Sequence, residues 1–249
     1  MVGHARSQPR YGYRRVGVLL ARDGWRVNHK RIERLWREEG LQVLQKQRKR
    51  RRLGSSENGI KRLAATAPNE VWSYDFVFDR TEDGRRLKIL TLVDEFTREA
   101  LAIHVERSIT ASDLIGVLET VFLTRPAPKF MRSDNGPEFI ARAIRAWLQK
   151  SGVSTAFIEP GSPWQNAYCE SFNGKLRDEL LAGELFTSLL EAQVLAESYR
   201  REYNTYRPHR SLGNMTPAEY AASWAPSGSA SLHRKGPSCT IPATITTLA

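Results

Sequence analysis

Val71-Trp72-Ser73-Tyr74-Asp75-Phe76-Val77-Phe78 is an apolar, aromatic and β-branched run with one carboxylate at its middle. Such a composition reads as a β-strand. A charge inside it needs a partner or a metal, because an unpaired buried carboxylate is too costly to keep ionised. A second apolar strand is predicted at 87–93, and Asp83-Gly84 between the two is a hairpin signal. With a two-residue turn there, Asp94 would pair two residues from Asp75, about 7 Å along the ladder. Residues 99–105 alternate as a third strand. The pattern then changes period: a helix at 111–123, a strand at 129–132, a helix at 138–150, a strand at 153–158, and helices near 163–181 and 189–204. The order βββ-α-β-α-β-α-α predicts an α/β fold. Three antiparallel strands followed by right-handed crossovers give a mixed five-stranded sheet with flanking helices.

Two further carboxylates join Asp75. Asp134 lies just past the fourth strand, in Arg132-Ser133-Asp134-Asn135-Gly136-Pro137-Glu138-Phe139. Gly136 permits a sharp turn and Pro137 suits the first position of a helix. If strands one and four are parallel neighbours, Asp75 and Asp134 converge at one end of the sheet, where ligands bind in open α/β sheets. Glu170 follows Ser162-Pro163-Trp164-Gln165, which reads as a capping box with Pro at its first helical position. On that helix Tyr168, Phe172, Leu176 and Leu180 form the packing face, and Asn166, Glu170, Asn173 and Arg177 the polar one. For Glu170 alone a solvated face is the plainer reading. Cys169 reads as a small packed residue.

The chain has 249 residues and a net charge of +11, concentrated at one end. Residues 1–62 hold 18 Lys and Arg against 5 Asp and Glu, while the remainder is close to neutral. Such asymmetry points to an anionic polymer, nucleic acid above all. Within the basic part, Val16, Leu19 and Leu20 mark a helix at 12–22. Asn28 caps a second helix, striped by Ile32, Leu35 and Trp36 and stopped at Gly40. The pair resembles a helix-turn-helix with 28–39 as recognition helix, and Lys30, Arg34 and Arg37 on its other face are candidate DNA contacts. The run Lys46, Arg48, Lys49, Arg50, Arg51 and Arg52 could neutralise several phosphates. The expected organisation is a basic module at 1–52, a linker at 53–69, a core at 70–220 and a tail at 221–249. Cys169 and Cys239 form no CxxC, which excludes a Cys-based zinc site and suits a reducing cytosol. No signal peptide or membrane helix is expected from the apolar runs.

Asp75, Asp134 and Glu170 reproduce a DD(35)E spacing, with thirty-five residues between the last two. The surrounding strings are Ser-Asp-Asn-Gly-Pro-Glu-Phe, Ser-Pro-Trp-Gln-Asn-Ala-Tyr-Cys-Glu-Ser-Phe-Asn-Gly-Lys-Leu-Arg-Asp-Glu and Tyr-Asn-Thr-Tyr-Arg-Pro-His. With them the chain resembles, over about residues 11–220, the orfB-type transposases of bacterial insertion-sequence family three. These belong to the retroviral-integrase-like superfamily.

The resemblance implies a ribonuclease-H-like fold and metal-dependent DNA strand cleavage and transfer with two Mg²⁺ or Mn²⁺ ions. Asp75 would bridge both ions, Asp134 would bind one, and Glu170 would complete the other and help position the nucleophile. The nucleophile would be water for cleavage and a DNA 3′-hydroxyl for transfer. Lys175 and Arg177 become candidate contacts for target DNA, and His209 either touches phosphate or packs the segment before it. Asp94, in Asp-Glu-Phe-Thr-Arg, is structural in that pattern. The implied partners are transposon ends and target DNA, with homo-oligomers on DNA, in the bacterial cytoplasm with the nucleoid and no membrane. A polypeptide from an upstream frame is a further expected partner. The His-Ser usual after Arg-Pro is His209-Arg210 here. Two rival functions share these features: a catalytically inactive DNA-binding regulator, and a nuclease acting on RNA–DNA hybrids.

Overall fold

A computed structural model describes residues 1–43, 64–133, 138–157 and 166–224. Strand β1 (Val71–Arg80) lies at the centre of a five-stranded sheet with β2 (Arg86–Asp94), β3 (Ala100–Glu106), β4 (Phe130–Ser133) and β5 (Ser154–Phe157). The spatial order is β3-β2-β1-β4-β5. β1, β2 and β3 pair antiparallel, whereas β4 runs parallel to β1 and β5 parallel to β4. The predicted mixed sheet is thus the observed one.

Period-two alternation divides the strand residues between two cores. Trp72, Tyr74, Leu90 and Leu92 face α4 (Ala111–Thr124) and α5 (Glu138–Lys150), where they meet Leu114, Leu118, Ile144 and Leu148. Val77, Leu87, Ile89 and Val93 face the other way. They pack on Phe172 and Leu176 of α6 (Ala167–Leu176) and on Tyr199 and Tyr203 of α7 (Leu189–Thr205). Each fully buried large aliphatic side chain here contributes about 1.5–3 kcal/mol. Thr110 and Asp113 form a reciprocal capping box at the start of α4.

The hairpin differs from its prediction. Arg80 pairs with Arg86, so the turn holds five residues. Thr81 N–H donates to Arg85 O (2.9 Å), Gly84 N–H to Thr81 O (2.8 Å), and the Thr81 hydroxyl to Asp83 (2.5 Å). These bonds satisfy a wider loop than Asp83-Gly84 alone would make. Asp75 therefore pairs with Thr91, and Asp94 with Trp72. Three residues separate Asp94 from the Asp75 position, which puts it on the opposite face of the sheet.

The basic N-terminal part folds as α1 (Val2–Ser7), α2 (Tyr13–Arg22) and α3 (His29–Glu38) around Tyr11, Val16, Leu19, Leu20, Ile32 and Trp36. Asn28 caps α3 as its position predicts, accepting from Lys30 N–H at 2.9 Å. Helix α1 has no counterpart in the sequence reading. This bundle is ion-paired to the rest of the chain. Arg10 pairs with Asp178, Arg15 with Glu179 at 3.5 Å, and Arg22 with Glu219 at 2.6 Å. Glu219 belongs to α8 (Pro217–Ser223), whose Tyr220 lies tilted against Phe96, while Trp224 meets the same ring edge-on.

Candidate active site

Asp75 reaches the α6 face of the sheet because it shares the parity of Val77 and the register of Thr91. Two donors fix its carboxylate: Phe76 N–H to Oδ1 at 2.8 Å, and Asn173 Nδ2 to Oδ2 at 2.9 Å. Asn173 is itself buried, and its Oδ1 accepts from the Thr91 hydroxyl at 2.9 Å. The same hydroxyl lies 3.2 Å from the Asp75 backbone oxygen and 3.5 Å from Cys169 Sγ. Strand β1, strand β2 and helix α6 are thereby tied together through the predicted carboxylate.

Glu170 sits on α6 three residues before Asn173 and is exposed. Residues at that spacing are neighbours on a helix surface, with Cβ atoms about 5–6 Å apart. Glu170 and Arg177 face solvent as their periodicity predicts. Asn166 and Asn173, placed with them on the polar face, are instead buried, and Tyr168 is only half-buried under the Arg98 guanidinium, 3.3 Å from its ring centroid. The helix is rotated so that Cys169, Phe172, Asn173 and Leu176 point at the sheet, where Asn173 finds two polar partners that offset its desolvation. Cys169 is fully buried, and burial raises its thiol well above the usual range, as suits a packed residue.

The parallel ladder between β1 and β4 is described up to Tyr74 opposite Ser133. Asp134, the next residue, lies outside the described residues, as do Gly136, Pro137 and the 162–165 capping box. Among the described residues no three His, Cys, Asp or Glu side chains gather into a metal-binding group. Arg132, in register with Ser73 on the same face as Asp75, donates to both oxygens of Glu95 at 2.7 and 2.6 Å, a pair with side chains 4% and 0% exposed. Asp94 is buried and accepts from the amides of Asn69, Phe96 and Thr97 at 2.7–2.9 Å. Burial raises its pKa, against the pull of those amides. It braces the β2–β3 connection, in keeping with a structural role.

The basic candidates scatter. Lys30, Arg34 and Arg37 are exposed on α3, and Arg34 and Arg37 pair along the helix with Glu38 at 3.5 Å and Glu33 at 2.7 Å. Lys46, Arg48, Lys49, Arg50, Arg51 and Arg52 lie outside the described residues. Lys175 is half-buried and donates back to Ser171 O and Oγ at 2.9 and 2.7 Å. Burial, with Arg207 next, lowers its pKa to about 8. His209 packs edge-on against Tyr203 at 4.8 Å, and burial beside Arg207 lowers its pKa to about 2, so it is a neutral packing residue.

Sequence reasoning missed two residues. Asn173 holds Asp75, and its only signal was its place in the Glu-Ser-Phe-Asn string beside Glu170. Glu179 binds Arg207 in a two-pronged pair and also meets Arg15, and no local pattern announced it. It lies in a π-helical turn, Arg177–Leu181, that extends α6. Wider i→i+5 turns of this kind are frequent at functional sites.

Comparison with known proteins agrees with this layout. An HTH-like domain family matches residues 3–51, and two integrase core domain families match residues 65–163 and 151–217. An insertion element IS476 protein of Xanthomonas euvesicatoria is 45% identical over 90% of this chain, which spans 64% of that protein's length. An insertion element IS407 protein of Burkholderia multivorans is 45% identical over 89% of this chain and 79% of its own length. Transposase InsF for insertion sequence IS3A of Escherichia coli is 24% identical over 88% of this chain and 80% of its own. Among solved structures, a chain of the simian T-cell lymphotropic virus intasome superposes with a TM-score of 0.56 at 16% identity, covering 71% of this chain and 62% of that one. The mixed five-stranded sheet is thus a ribonuclease-H-like fold of the integrase-core type. No helix among the described residues is long and apolar enough to cross a membrane.

Proposed function

The chain belongs to the insertion-element transposases that carry an HTH-like domain and an integrase core, and on that premise we propose that it cuts and joins DNA strands at a metal site formed by Asp75, Asp134 and Glu170. One observation carries this reading: the Asp75 carboxylate on the central strand is held by Asn173 of the helix that also bears Glu170. The helix that bears Glu170 is thereby fastened to the face of the sheet that presents Asp75, and Asp134 follows the strand that neighbours β1.

Carboxylate oxygens are the hard donors that Mg²⁺ and Mn²⁺ prefer. A half-buried Asp75, oriented by two donors, and a solvent-facing Glu170 suit such ions without a protein cage. Two divalent cations bound there would supply charge stabilisation to the entering and leaving oxygens of a phosphodiester. Asn173 and Phe76 N–H keep the Asp75 carboxylate from turning. Thr91 and the buried Glu95–Arg132 pair stiffen the strands beneath it. The nucleophile is water in cleavage and a DNA 3′-hydroxyl in joining, so no protein nucleophile is required.

The proposed partners are element ends and target DNA, with the basic module at 1–52, the linker at 53–69 and the core at 70–220 contributing in turn. The chain acts as a homo-oligomer on DNA in the cytoplasm with the nucleoid, and an upstream-frame polypeptide helps recognise the ends.

The test is a joining assay with oligonucleotides carrying insertion-element ends, in Mg²⁺ or Mn²⁺. Asp75→Ala, Asp134→Ala and Glu170→Ala should each abolish products joined through a 3′-hydroxyl yet bind DNA as the parent does. Full joining by any one of them would overturn the assignment of that residue. Tight DNA binding by the parent with no metal-dependent cleavage would overturn the catalytic reading as a whole.

A further inference from the structure

A cleft of about 840 Å³ opens between the N-terminal helices and the segment after α7. Its wall carries Arg10, Arg14, Arg15, Arg37 and Arg210 against, among the described residues, a single carboxylate, Glu33. Four of the five arginines come from the helical bundle and the fifth from the 3₁₀ turn Arg210–Leu212. Three of them already have anionic neighbours: Arg10 meets Asp178, Arg15 meets Glu179, and Arg37 meets Glu33. Arg14 and Arg210 are exposed and make no ion pair among the described residues. Arg14, whose Nε donates to the Tyr13 hydroxyl at 3.0 Å, and Arg210 line the same basic cleft without a carboxylate among the described residues, which invites an anion.

The backbone adds to this. Gly12, Tyr13, Arg14 and Arg15 line the same cleft, and Gly12 opens helix α2 without a side-chain cap. The N-terminal end of the ten-residue helix, with its partial positive charge, therefore borders the cleft. Val43, on the wall, is the last described residue before the basic run that begins three positions on at Lys46.

We propose that this cleft is a second phosphodiester-binding site for DNA, distinct from Lys30 and Arg34 on the outward face of α3, and completed by Arg210 from the segment after α7. The ligand is a stretch of DNA backbone: the cleft offers guanidinium forks for phosphate, and the partly exposed ring of Tyr13 as apolar surface for sugar. The inference rests on the DNA reading above and extends it. The N-terminal bundle and the segment after α7 then grip one strand jointly, which couples the bundle's position to the occupied core.

The experiment is a salt titration of binding to a short labelled duplex, without divalent metal, using the full chain. Each phosphate left without its cation lowers the slope of log K against log salt by about 0.9. Arg14→Gln with Arg210→Gln should lower it by about 1.8 and weaken binding about tenfold or more in moderate salt, and Arg210→Gln alone by about 0.9. Glu33→Gln removes the cleft's one negative charge and should tighten binding, a change that loss of folding would not imitate. Lys30→Gln with Arg34→Gln serves as the comparison on the outward face and should add its own loss to that of the cleft variants. A slope unchanged by Arg14→Gln with Arg210→Gln, or binding unaffected by Glu33→Gln, overturns the cleft as a phosphate site. A parent chain with no measurable DNA affinity overturns the DNA reading on which it rests.

Discussion

Replacing Asn173 by Ala removes two hydrogen bonds from a side chain that is 3% exposed. The bond to Asp75 Oδ2 ends on a carboxylate, a class worth about 1.5–3 kcal/mol, and the bond from Thr91 is neutral, worth about 0.5–1.5 kcal/mol. Thr91 keeps the Asp75 backbone oxygen at 3.2 Å as an acceptor, which puts its loss at the low end. The expected cost is about 2–4 kcal/mol, measured by urea unfolding. With the hold on Oδ2 removed, strand joining should fall at least tenfold, about 1.4 kcal/mol of barrier, while metal-free DNA affinity holds.

Asn173→Asp separates orientation from space filling. The new carboxyl would sit 2.9 Å from Asp75 Oδ2, the distance of the present amide. Two unit charges there repel by about 6 kcal/mol at an effective dielectric near 20, so the folded pair keeps a proton that the unfolded chain releases near pH 3.9. The folded pKa is raised. The folded state then binds more protons than the unfolded one between the two pKa values, and stability falls as pH rises through that window. In acid the retained proton lets the new group donate to Asp75 as the amide does. The variant should thus approach the parent's stability at low pH and fall behind as pH rises. A deficit constant from about pH 4 to about pH 8, or full joining activity in Asn173→Ala, would refute the positioning role.

Glu179→Gln leaves Arg207, buried to 3% exposure, and Arg15 without their anion, and should cost about 3 kcal/mol or more. The exposed Arg85 side chain, paired with Asp83, is the control: Arg85→Gln should shift melting far less, and equal melting shifts for the two would sink this reading. Lys175, held at about 8 by burial and by Arg207, lies below its unfolded value near 10.4. The unfolded chain binds the extra proton in that window, so stability should rise with pH from about 8 to about 10 relative to Lys175→Met; parallel curves count against it. Deleting residues 46–52 removes six cations and should flatten the salt dependence of DNA binding by up to about 5 in slope, and an unchanged slope rules the run out as a phosphate binder.

Local periodicity made much of the architecture legible. The alternation in 71–78 and 87–93, the 3.6-residue stripes of 111–123 and 138–150, and the Asn28 cap are short-range patterns, and each predicted element exists near its predicted place. The placement of Asp75 in an apolar strand was enough to demand a partner. What it received was decided elsewhere. The hairpin register turned on Thr81 and Asp83 closing a five-residue loop, which moved Asp94 to the far face. The inward turn of Asn173 depended on Thr91 and Asp75, each more than eighty positions away in sequence, meeting it at one point.

The docking of the N-terminal helices was equally beyond the sequence pattern. Arg10, Arg15 and Arg22 look like any solvated basic residues until Asp178, Glu179 and Glu219 are brought opposite them. Arg210 and Arg14 line one cleft because the segment after α7 is held to the bundle, by His4 Nδ1 3.1 Å from the Tyr206 hydroxyl and by Arg22 paired with Glu219. Sequence determines which side chains prefer burial and which helix or strand each joins, since those preferences act over a few residues. It does not determine which distant charges meet, because that energy exists only once loop closure and core packing have set the elements in place.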